Sequence, residues 1–488
     1  MSAATATTKR QELGQFLTPA PTAQFMAGLF GSPPNEVRLL DAGAGAGALS
    51  AAVVARWCSE VLKPKSVSIS AYESDSEIIP RLKQTLAFCE ETCAEAGIEF
   101  QAEILVGDFI QSVLPLVRSD LFGSSQLPFN AAILNPPYRK IQSDSSARLL
   151  LRSAGIETTN LYTGFLALAI KLLAERGEMV AITPRSFCNG PYFKSFRAQF
   201  LSQMSLRRLH LLDSRSAAFR TDDVLQENIV VHAVKSPMKP EKVHVSISKG
   251  VPDRNVTIRD RSYADIVAPD DPEQFIHFVT DDAQDQARQS VRLLSTPLSS
   301  LGLEVSTGRV VDFRARDFLL QESGPESFPL IYPCHFRSGF VHWPLTPSRK
   351  PNAIRDVEKT QELLVRSGIY VLVKRFTSKE ERRRVVACIY DPQRIPTEKV
   401  GFENHLNYFH ARGEALKMSV AKGLAAYLNS TVVDSYFRQF NGHTQVNATD
   451  LRNLPYPSLQ QLEHLGRRIS DVFPTQAALD KLVTDTIS

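Results

Sequence analysis

Short apolar runs alternate with helix-compatible stretches through the first half of the chain, and this alternation limits the fold more than any other feature. Six runs have the length and composition of strands: Val37–Asp41, Ser66–Tyr72, Ile104–Val106, Phe129–Leu134, Glu178–Ile182 and Asn228–Val234. Three stretches favour helices: Ala48–Trp57, Ile78–Cys93 and Leu161–Arg176. Strands separated by helices indicate a doubly wound, mostly parallel sheet, so we predict an α/β fold.

The pattern changes near residue 240. The chain has 488 residues, which is too long for one ordinary domain. An acidic segment over residues 253–285 follows the change, and mixed short strands, loops and a mostly helical stretch at Val400–Phe440 come after it. We therefore predict an α/β domain over residues 1–240 and a mixed α+β domain over residues 241–488.

Composition narrows the class of protein. Hydrophobic residues make up 43% of the chain and charged residues 22%, which is typical of a globular protein and excludes a mainly disordered one. No run of about 18 apolar residues occurs, so we expect no membrane span. The six cysteines are scattered and Met1–Arg10 lacks an apolar signal core, so we expect free thiols, no metal site and a cytoplasmic location.

A glycine loop follows the first predicted strand. It covers Asp41–Gly47, and its glycines at 43, 45 and 47 have the spacing G-x-G-x-G. Glycine lets backbone approach a ligand closely, although a tight turn has the same composition. The spacing differs from the dinucleotide fingerprint, and the loop lacks the Gly-Lys-Ser/Thr ending of a triphosphate-binding loop.

Two acids follow the next two strands. Glu73 lies where a carboxylate can accept hydrogen bonds from ribose hydroxyls, and Asp108 where one can accept from an exocyclic amine. Either acid alone could instead cap a helix. Together with the glycine loop they indicate a nucleoside site without a phosphate cradle, which suits S-adenosylmethionine better than NAD or ATP.

The motif Asn135-Pro136-Pro137-Tyr138 follows the fourth predicted strand directly. Two prolines fix the backbone and leave carbonyls free to accept, and the Asn135 side chain adds an acceptor oxygen. Two acceptors that converge on an amino group would bind both of its hydrogens, and Tyr138 offers a flat face for the base that carries the amine. A proline turn after a strand is the alternative.

These motifs, in this order, resemble those of the gamma-class N6-adenine DNA methyltransferases, most specifically the BsuBI/PstI type. The resemblance implies a class I S-adenosylmethionine-dependent fold. It implies that Phe16 and Thr18, in the segment Gly14–Pro19, close over the methionine part of the cofactor. It also assigns cofactor contacts to Asp41, Gly43, Gly45, Glu73, Asp108 and Asn135.

The resemblance also implies a mechanism. The target adenine is flipped out of the duplex, stacks on Tyr138 and is held in part by Phe219, while Asn135 and the Pro136 carbonyl accept from its amino group. That amine then attacks the methyl group of S-adenosylmethionine directly. The helix with Asn160-Leu161-Tyr162 and Phe165 corresponds to one that lines the cofactor pocket.

The second half contains a basic run. Nine bases and four acids lie between Arg366 and Lys399, whereas the whole chain carries a net charge of only +4. Such density favours phosphate contacts, although a solvated sheet edge is the alternative. The predicted DNA-binding residues are Lys374, Arg375, Lys379, Arg382, Arg383 and Arg384. Gln445 and Asn447 could contact base edges or brace a loop.

The sequence is also compatible with other functions. RNA adenine methyltransferases and protein glutamine methyltransferases use the same Asn-Pro-Pro-Tyr chemistry, and a DNA-binding module with an inactive methyltransferase fold is the non-enzymatic alternative. We expect a monomer that binds duplex DNA, and a cognate restriction endonuclease, if one exists, on a separate chain.

Overall fold

The computed structural model describes residues 17–120, 129–212, 227–248, 256–294, 296–378, 380–442 and 444–487. The chain folds into two compact units, residues 1–280 and 281–488. Each unit has its own sheets and its own hydrophobic core.

The first unit is built on one nine-stranded sheet. Its strands are β1 (Glu36–Ala42), β2 (Ser66–Glu73), β3 (Glu99–Val106), β4 (Phe129–Leu134), β5 (Leu173–Pro184), β6 (Met204–Leu212), β7 (Asn228–Lys235), β8 (Lys242–Ser248) and β9 (Ile258–Ser262). Their spatial order is β3-β2-β1-β4-β5-β7-β6-β8-β9. The strands β1 to β5 are parallel, whereas β7 is antiparallel to both of its neighbours. All six predicted strands are present.

Helices cover both faces of this sheet. They are α1 (Ala20–Ala27), α2 (Ala48–Ser59), α3 (Ile79–Glu95), α4 (Phe109–Asp120), α5 (Ser146–Ser153), α6 (Leu161–Leu172), α7 (Lys194–Gln203) and α8 (Tyr263–Ile266). Successive side chains of a strand point to opposite faces. Leu39 accordingly packs in the core that contains Trp57 of α2, and Leu40 packs in the core that contains Leu168 of α6. Full burial of such a side chain stabilises the fold by roughly 1.5–3 kcal/mol.

The first unit extends beyond the boundary predicted near residue 240. Strand β8 pairs in parallel with β6, and β9 pairs with β8 in the antiparallel direction. Both strands therefore continue the same sheet, and the division between the compact units falls at Thr280. The predicted helix over Leu161–Arg176 is also shorter, because α6 ends at Leu172 and β5 begins at Leu173.

The second unit contains two smaller sheets. Its strands are β10 (Glu304–Thr307), β11 (Leu319–Leu320), β12 (Ser327–Ile331), β13 (Phe336–Arg337), β14 (Phe340–Val341), β15 (Ala353–Arg355), β16 (Leu364–Arg366), β17 (Tyr370–Lys374), β18 (Ala387–Tyr390), β19 (Lys399–Phe402) and β20 (Leu406–His410). One sheet has the order β10-β20-β17-β18-β14-β13 and the other β11-β15-β12-β19-β16.

Helices complete the second unit. They are α9 (Asp282–Arg292), α10 (Asp312–Ala315), α11 (Met418–Leu428), α12 (Thr431–Phe440), α13 (Ala448–Arg452), α14 (Leu459–Arg467) and α15 (Gln476–Ile487). The stretch predicted to be mostly helical, Val400–Phe440, begins instead with residues of β19 and with β20, whose side chains are buried in a sheet. In the described part of the chain, no helix is long and apolar enough to cross a membrane.

Candidate active site

The glycine loop lies between β1 and α2 and adopts a conformation that favours glycine. Gly43, Gly45 and Gly47 have φ angles of 83°, 56° and 83°. Side chains rarely adopt such angles, because a Cβ atom would crowd the backbone. The Gly43 and Ala44 amides both donate to the Tyr72 carbonyl at 2.9 Å, which fixes the loop against the end of β2.

Asp41 supports the loop from inside the protein. Its side chain is completely buried, and its Oδ2 accepts a hydrogen bond of 2.6 Å from Ser50. Burial raises the pKa of this carboxyl group to about 7, against the opposing effect of the Ser50 hydrogen bond. Its Oδ1 is buried without a hydrogen-bond partner in the structure. The structure thus places Asp41 beneath the loop rather than in a cavity wall.

Glu73, at the end of β2, lies almost wholly buried beside the loop. Its Oε2 accepts from the Gly45 amide at 2.8 Å, and its Oε1 accepts from the Asp75 amide at 2.7 Å. The carboxylate therefore holds the glycine loop to the segment that follows β2.

Asp108 behaves differently from Glu73. Its side chain is exposed, and its Oδ1 accepts from the Gln111 amide at 3.1 Å at the start of α4. This is the helix-capping role that the sequence left open. Its neighbours Gly107 and Phe109 line the cavity described next, whereas Asp108 is not among the described residues that do so.

A cavity opens at the carboxyl ends of β1 to β4, where ligands bind in sheets of this kind. It is lined by Leu17, Gly43, Gly45, Tyr72, Glu73, Ser74, Asp75, Ile78, Gly107, Phe109, Asn135, Pro137 and Phe165. The sequence analysis did not predict Tyr72, Ile78 or Phe109 as site residues, although Tyr72 directly precedes Glu73 and Phe109 directly follows Asp108. The rings of Tyr72 and Phe109, with centroids 5.0 Å apart, form one apolar wall with Phe165.

Asn135 follows β4 and faces this cavity. Its Nδ2 donates to Thr18 Oγ1 at 3.0 Å, and its Oδ1 accepts from the Tyr138 hydroxyl at 3.3 Å. These two contacts define which end of the amide donates and which accepts. Thr18, which the resemblance assigned to the cofactor, thus contacts the Asn-Pro-Pro-Tyr motif itself.

Tyr138 is half-buried, and its hydroxyl also donates to the Ile182 carbonyl at 3.2 Å. Its ring packs edge-on against that of Tyr162, with centroids 6.2 Å apart. Burial raises the pKa of the Tyr138 phenol well above its usual range, so the hydroxyl stays protonated and remains a donor. Tyr162 is itself buried, while Phe165 of the same helix lines the cavity. Phe16 and Phe219 lie outside the described residues.

The structure places the predicted DNA-binding residues in different environments. Lys374, Arg382 and Arg383 line one open cavity of the second unit together with Arg337, and no acid is among its described lining residues. Arg375 lies outside this cavity and donates from its guanidinium to the Asn404 carbonyl at 3.1 Å. Lys379 lies outside the described residues.

Arg384 corrects the prediction, because its side chain is only 2% exposed. Its guanidinium donates to Thr377 Oγ1 at 3.1 Å and to Asn441 Oδ1 at 2.8 Å. It is therefore a structural residue that cannot contact phosphate from solvent. Asn447 likewise braces a loop, since its amide and Asp450 cap α13.

Proteins of known type align with almost the whole length of this chain. A family model described as the Eco57I restriction-modification methylase matches residues 80–219. The type II methyltransferase M.PstI from Providencia stuartii is 45% identical over 480 residues, which are 98% of this chain and 94% of that protein. The type II methyltransferase M.BsuBI from Bacillus subtilis is 44% identical over 463 residues, which are 94% and 90% of the two chains.

A solved structure shows the same fold. The type IIL restriction-modification enzyme MmeI, determined in complex with DNA, aligns with a TM-score of 0.53 and 10% identity over 98% of this chain and 72% of that one. The predicted class I methyltransferase fold is confirmed, and so is the resemblance to the BsuBI/PstI type. The chain belongs to the type II methyltransferases of restriction–modification systems.

Proposed function

We propose that this chain transfers a methyl group from S-adenosylmethionine to the N6 atom of an adenine within one specific sequence of duplex DNA. The observation that carries the proposal is the side-chain amide of Asn135. It lies in the wall of the cavity at the strand ends, with its Nδ2 engaged by Thr18 and its Oδ1 directed as an acceptor.

The cavity fits the proposed cofactor in its charge. Among its described lining residues are the carboxylates of Glu73 and Asp75 but no lysine or arginine. Such a wall attracts a cation and repels a phosphate. The Glu73 oxygens each accept one backbone hydrogen bond and retain lone pairs for the ribose hydroxyls. S-adenosylmethionine, when bound, supplies an electrophilic methyl group on a sulfonium ion.

The acceptors of the Asn-Pro-Pro-Tyr motif select an amino group as the nucleophile. Asn135 Oδ1 and the Pro136 carbonyl would each accept one hydrogen of the adenine 6-amino group. These bonds make the nitrogen lone pair more available for attack and hold it in position. The amine is neutral before it reacts, so no basic side chain is required for the attack itself. The methylated nitrogen, which is then positively charged, would lose one of its two hydrogens as a proton to water.

The base must leave the duplex to reach this position. We propose that the flipped adenine stacks on the Tyr138 ring, whose hydroxyl is anchored to Ile182 and whose orientation is therefore set before the base arrives. We further propose that Lys374, Arg382, Arg383 and Arg337 contact DNA phosphates, since they share one cavity that no described acid lines.

The purified protein tests the reaction. It is incubated with radiolabelled S-adenosylmethionine and duplex DNA, RNA or protein, and the DNA is digested and its nucleosides separated by mass spectrometry. We expect N6-methyladenine in duplex DNA and none with Asn135→Ala. N4-methylcytosine, or label only in RNA or protein, would refute the proposal. Single-molecule sequencing of DNA from cells that express the protein then gives the target sequence.

Two statements about partners complete the proposal. We propose that the chain acts as a monomer on DNA and that any cognate endonuclease is a separate chain. Light scattering of the protein with a duplex that contains one target site measures the stoichiometry directly. Two protein chains on each duplex would contradict the first statement.

A further inference from the structure

Three separate segments of the second unit meet beside the end of β17. The Arg375 amide donates to the His405 carbonyl at 2.8 Å, and the Val446 amide donates to the Arg375 carbonyl at 2.7 Å. Phe376 and Gln445 face each other in an isolated antiparallel bridge. Residues directly opposite in such a pair point to the same face. Phe376 and Gln445 therefore point to the same face. Together with the neighbouring residues Arg375 and His405 they are called here the 375–445 patch.

An exposed aromatic pair lies at the centre of this patch. The Phe376 side chain is 40% exposed and that of His405 is 47% exposed, and their ring centroids are 4.8 Å apart. The Arg375 guanidinium lies 5.8 Å from the Phe376 ring. Aromatic side chains are enriched in the cores of interfaces and stack on bases in nucleic-acid sites, so this exposed pair has the chemistry of a contact site.

A buried carboxylate, that of Glu403, contacts the histidine of the pair. Nδ1 of the histidine is 2.5 Å from Oε1 of Glu403, which is 1% exposed, and the histidine backbone amide donates to Oε2 of the same carboxylate at 2.9 Å. A carboxylate at Nδ1 fixes the tautomer and the ring orientation. Nε2 then remains for a ligand, because no described residue is bonded to it in the structure.

The side chains of the 375–445 patch have the chemistry of base recognition. An arginine matches the O6 and N7 acceptors of guanine, an amide matches the N6 and N7 atoms of adenine, and an aromatic ring can stack on a base or wedge between bases. Lys374, the residue before the patch, lines the basic cavity with Arg382 and Arg383. The residue before the patch thus belongs to a group of bases that complements a nucleic acid in charge.

We propose that the 375–445 patch contacts base edges of duplex DNA and determines part of the target sequence. This inference rests on the proposed function, because it assigns a specificity surface for the same reaction. Phe376 and the ring of His405 would pack against bases, while Gln445 and Arg375 would contact base edges. A protein partner is the alternative occupant, and the experiment below separates the two.

The test compares target discrimination among full-length variants. The variants Phe376→Ala, His405→Ala and Gln445→Ala are assayed on the target duplex and on duplexes in which each target base pair is changed in turn. For at least one variant we expect the preference for the correct pair at one or two positions to fall about tenfold, the scale of a base-edge contact. Phe313→Ala, which removes another exposed phenylalanine of the same unit, should leave the preference unchanged.

Two further measurements distinguish a change in DNA recognition from a loss of fold or of methyl transfer. Thermal unfolding of each variant identifies any loss of fold. Gln445→Ala should unfold like the wild type, because its side chain makes no hydrogen bond to a described residue. Unchanged discrimination by all three variants would overturn the proposal, as would a patch that binds protein and leaves DNA selection intact. If the wild type methylates no adenine, the proposed function fails instead, and selectivity in DNA binding still tests the patch.

Discussion

The side chain of Asn135 donates from Nδ2 to the hydroxyl of Thr18 at 3.0 Å, across 117 positions of sequence. This bond leaves Oδ1 as the end of the amide that accepts. Thr18→Val keeps the shape of the side chain and removes the acceptor, so the amide loses its fixed orientation. We expect kcat to fall about fivefold, since one hydrogen bond contributes about 1 kcal/mol.

Thr18→Ser is the matched control, because it restores the hydroxyl. Its kcat should be close to that of the wild type, and titration calorimetry with S-adenosylmethionine should give similar affinities for both variants. If Thr18→Val weakens cofactor binding and leaves kcat unchanged, Thr18 contacts the cofactor instead and the positioning role is wrong.

Tyr138 gives a second prediction, because its ring and its hydroxyl have separate contacts. Tyr138→Ala removes the stacking surface and should weaken binding of the flipped base by about 1–3 kcal/mol. Tyr138→Phe keeps the ring and loses the hydroxyl contacts with the Ile182 carbonyl and Asn135 Oδ1, so it should lower the free energy of unfolding by about 1 kcal/mol. It should retain most activity, because Thr18 still orients the Asn135 amide. Fluorescence of 2-aminopurine at the target position measures base flipping. Equal signals from the two variants would contradict the stacking role.

The buried carboxyl group of Asp41 predicts a pH dependence of stability. Burial raises its pKa to about 7 from 3.8, so between about pH 4 and 7 the unfolded chain is ionised at this group while the folded chain holds the proton. Fewer protons bound in the unfolded state mean that this contribution to stability is present at low pH and is lost as the pH rises through 7.

Asp41→Asn removes this titration and keeps an acceptor for Ser50. Relative to the wild type, its free energy of unfolding should therefore increase between pH 4 and pH 7, by up to about 4 kcal/mol for a shift of about three units. Urea unfolding at several pH values measures the difference. A difference that stays constant with pH would show that Asp41 is ionised in the folded protein.

The salt dependence of DNA affinity distinguishes basic residues that contact phosphates from the buried Arg384. Lys374→Gln combined with Arg382→Gln should lower the slope of log affinity against log salt by about 2, since each phosphate contact contributes about 0.9. Arg384→Gln should instead lower the melting temperature, because it breaks the buried bonds to Thr377 and Asn441. DNA-binding titrations at several salt concentrations give the slope. An unchanged slope in the double variant would exclude phosphate contacts at these residues.

Local motifs predicted much of the candidate site. The Asn135–Tyr138 motif, the glycine loop and Glu73 are recognisable because their chemistry depends on residues adjacent in the chain. The bond between Thr18 and Asn135 was not predictable, since nothing in either segment specifies the other. Tyr72 and Phe109 of the aromatic wall were missed for the same reason, whereas Phe165 lies on a helix that the resemblance assigned to the cofactor pocket.

The local sequence pattern does not predict which of the neighbouring basic residues are buried. Arg382 is exposed and Arg384 is buried, although they are two positions apart in one basic run. Their difference depends on Asp434 and Asn441, about fifty residues later, which accept from the Arg384 amide and guanidinium. Strand β6 was missed similarly, because Arg207 and Arg208 interrupt its apolar pattern while the rest of the strand is mostly buried.

The position of β8 and β9 in the first sheet determines where chimaeras between relatives can be joined. A chimaera joined near residue 240 would separate these strands from their sheet and leave the backbone groups of β6 unpaired along one edge, which invites aggregation. A junction between Thr280 and Asp281 keeps both compact units whole. We expect hybrids joined there to remain folded and hybrids joined near 240 to precipitate.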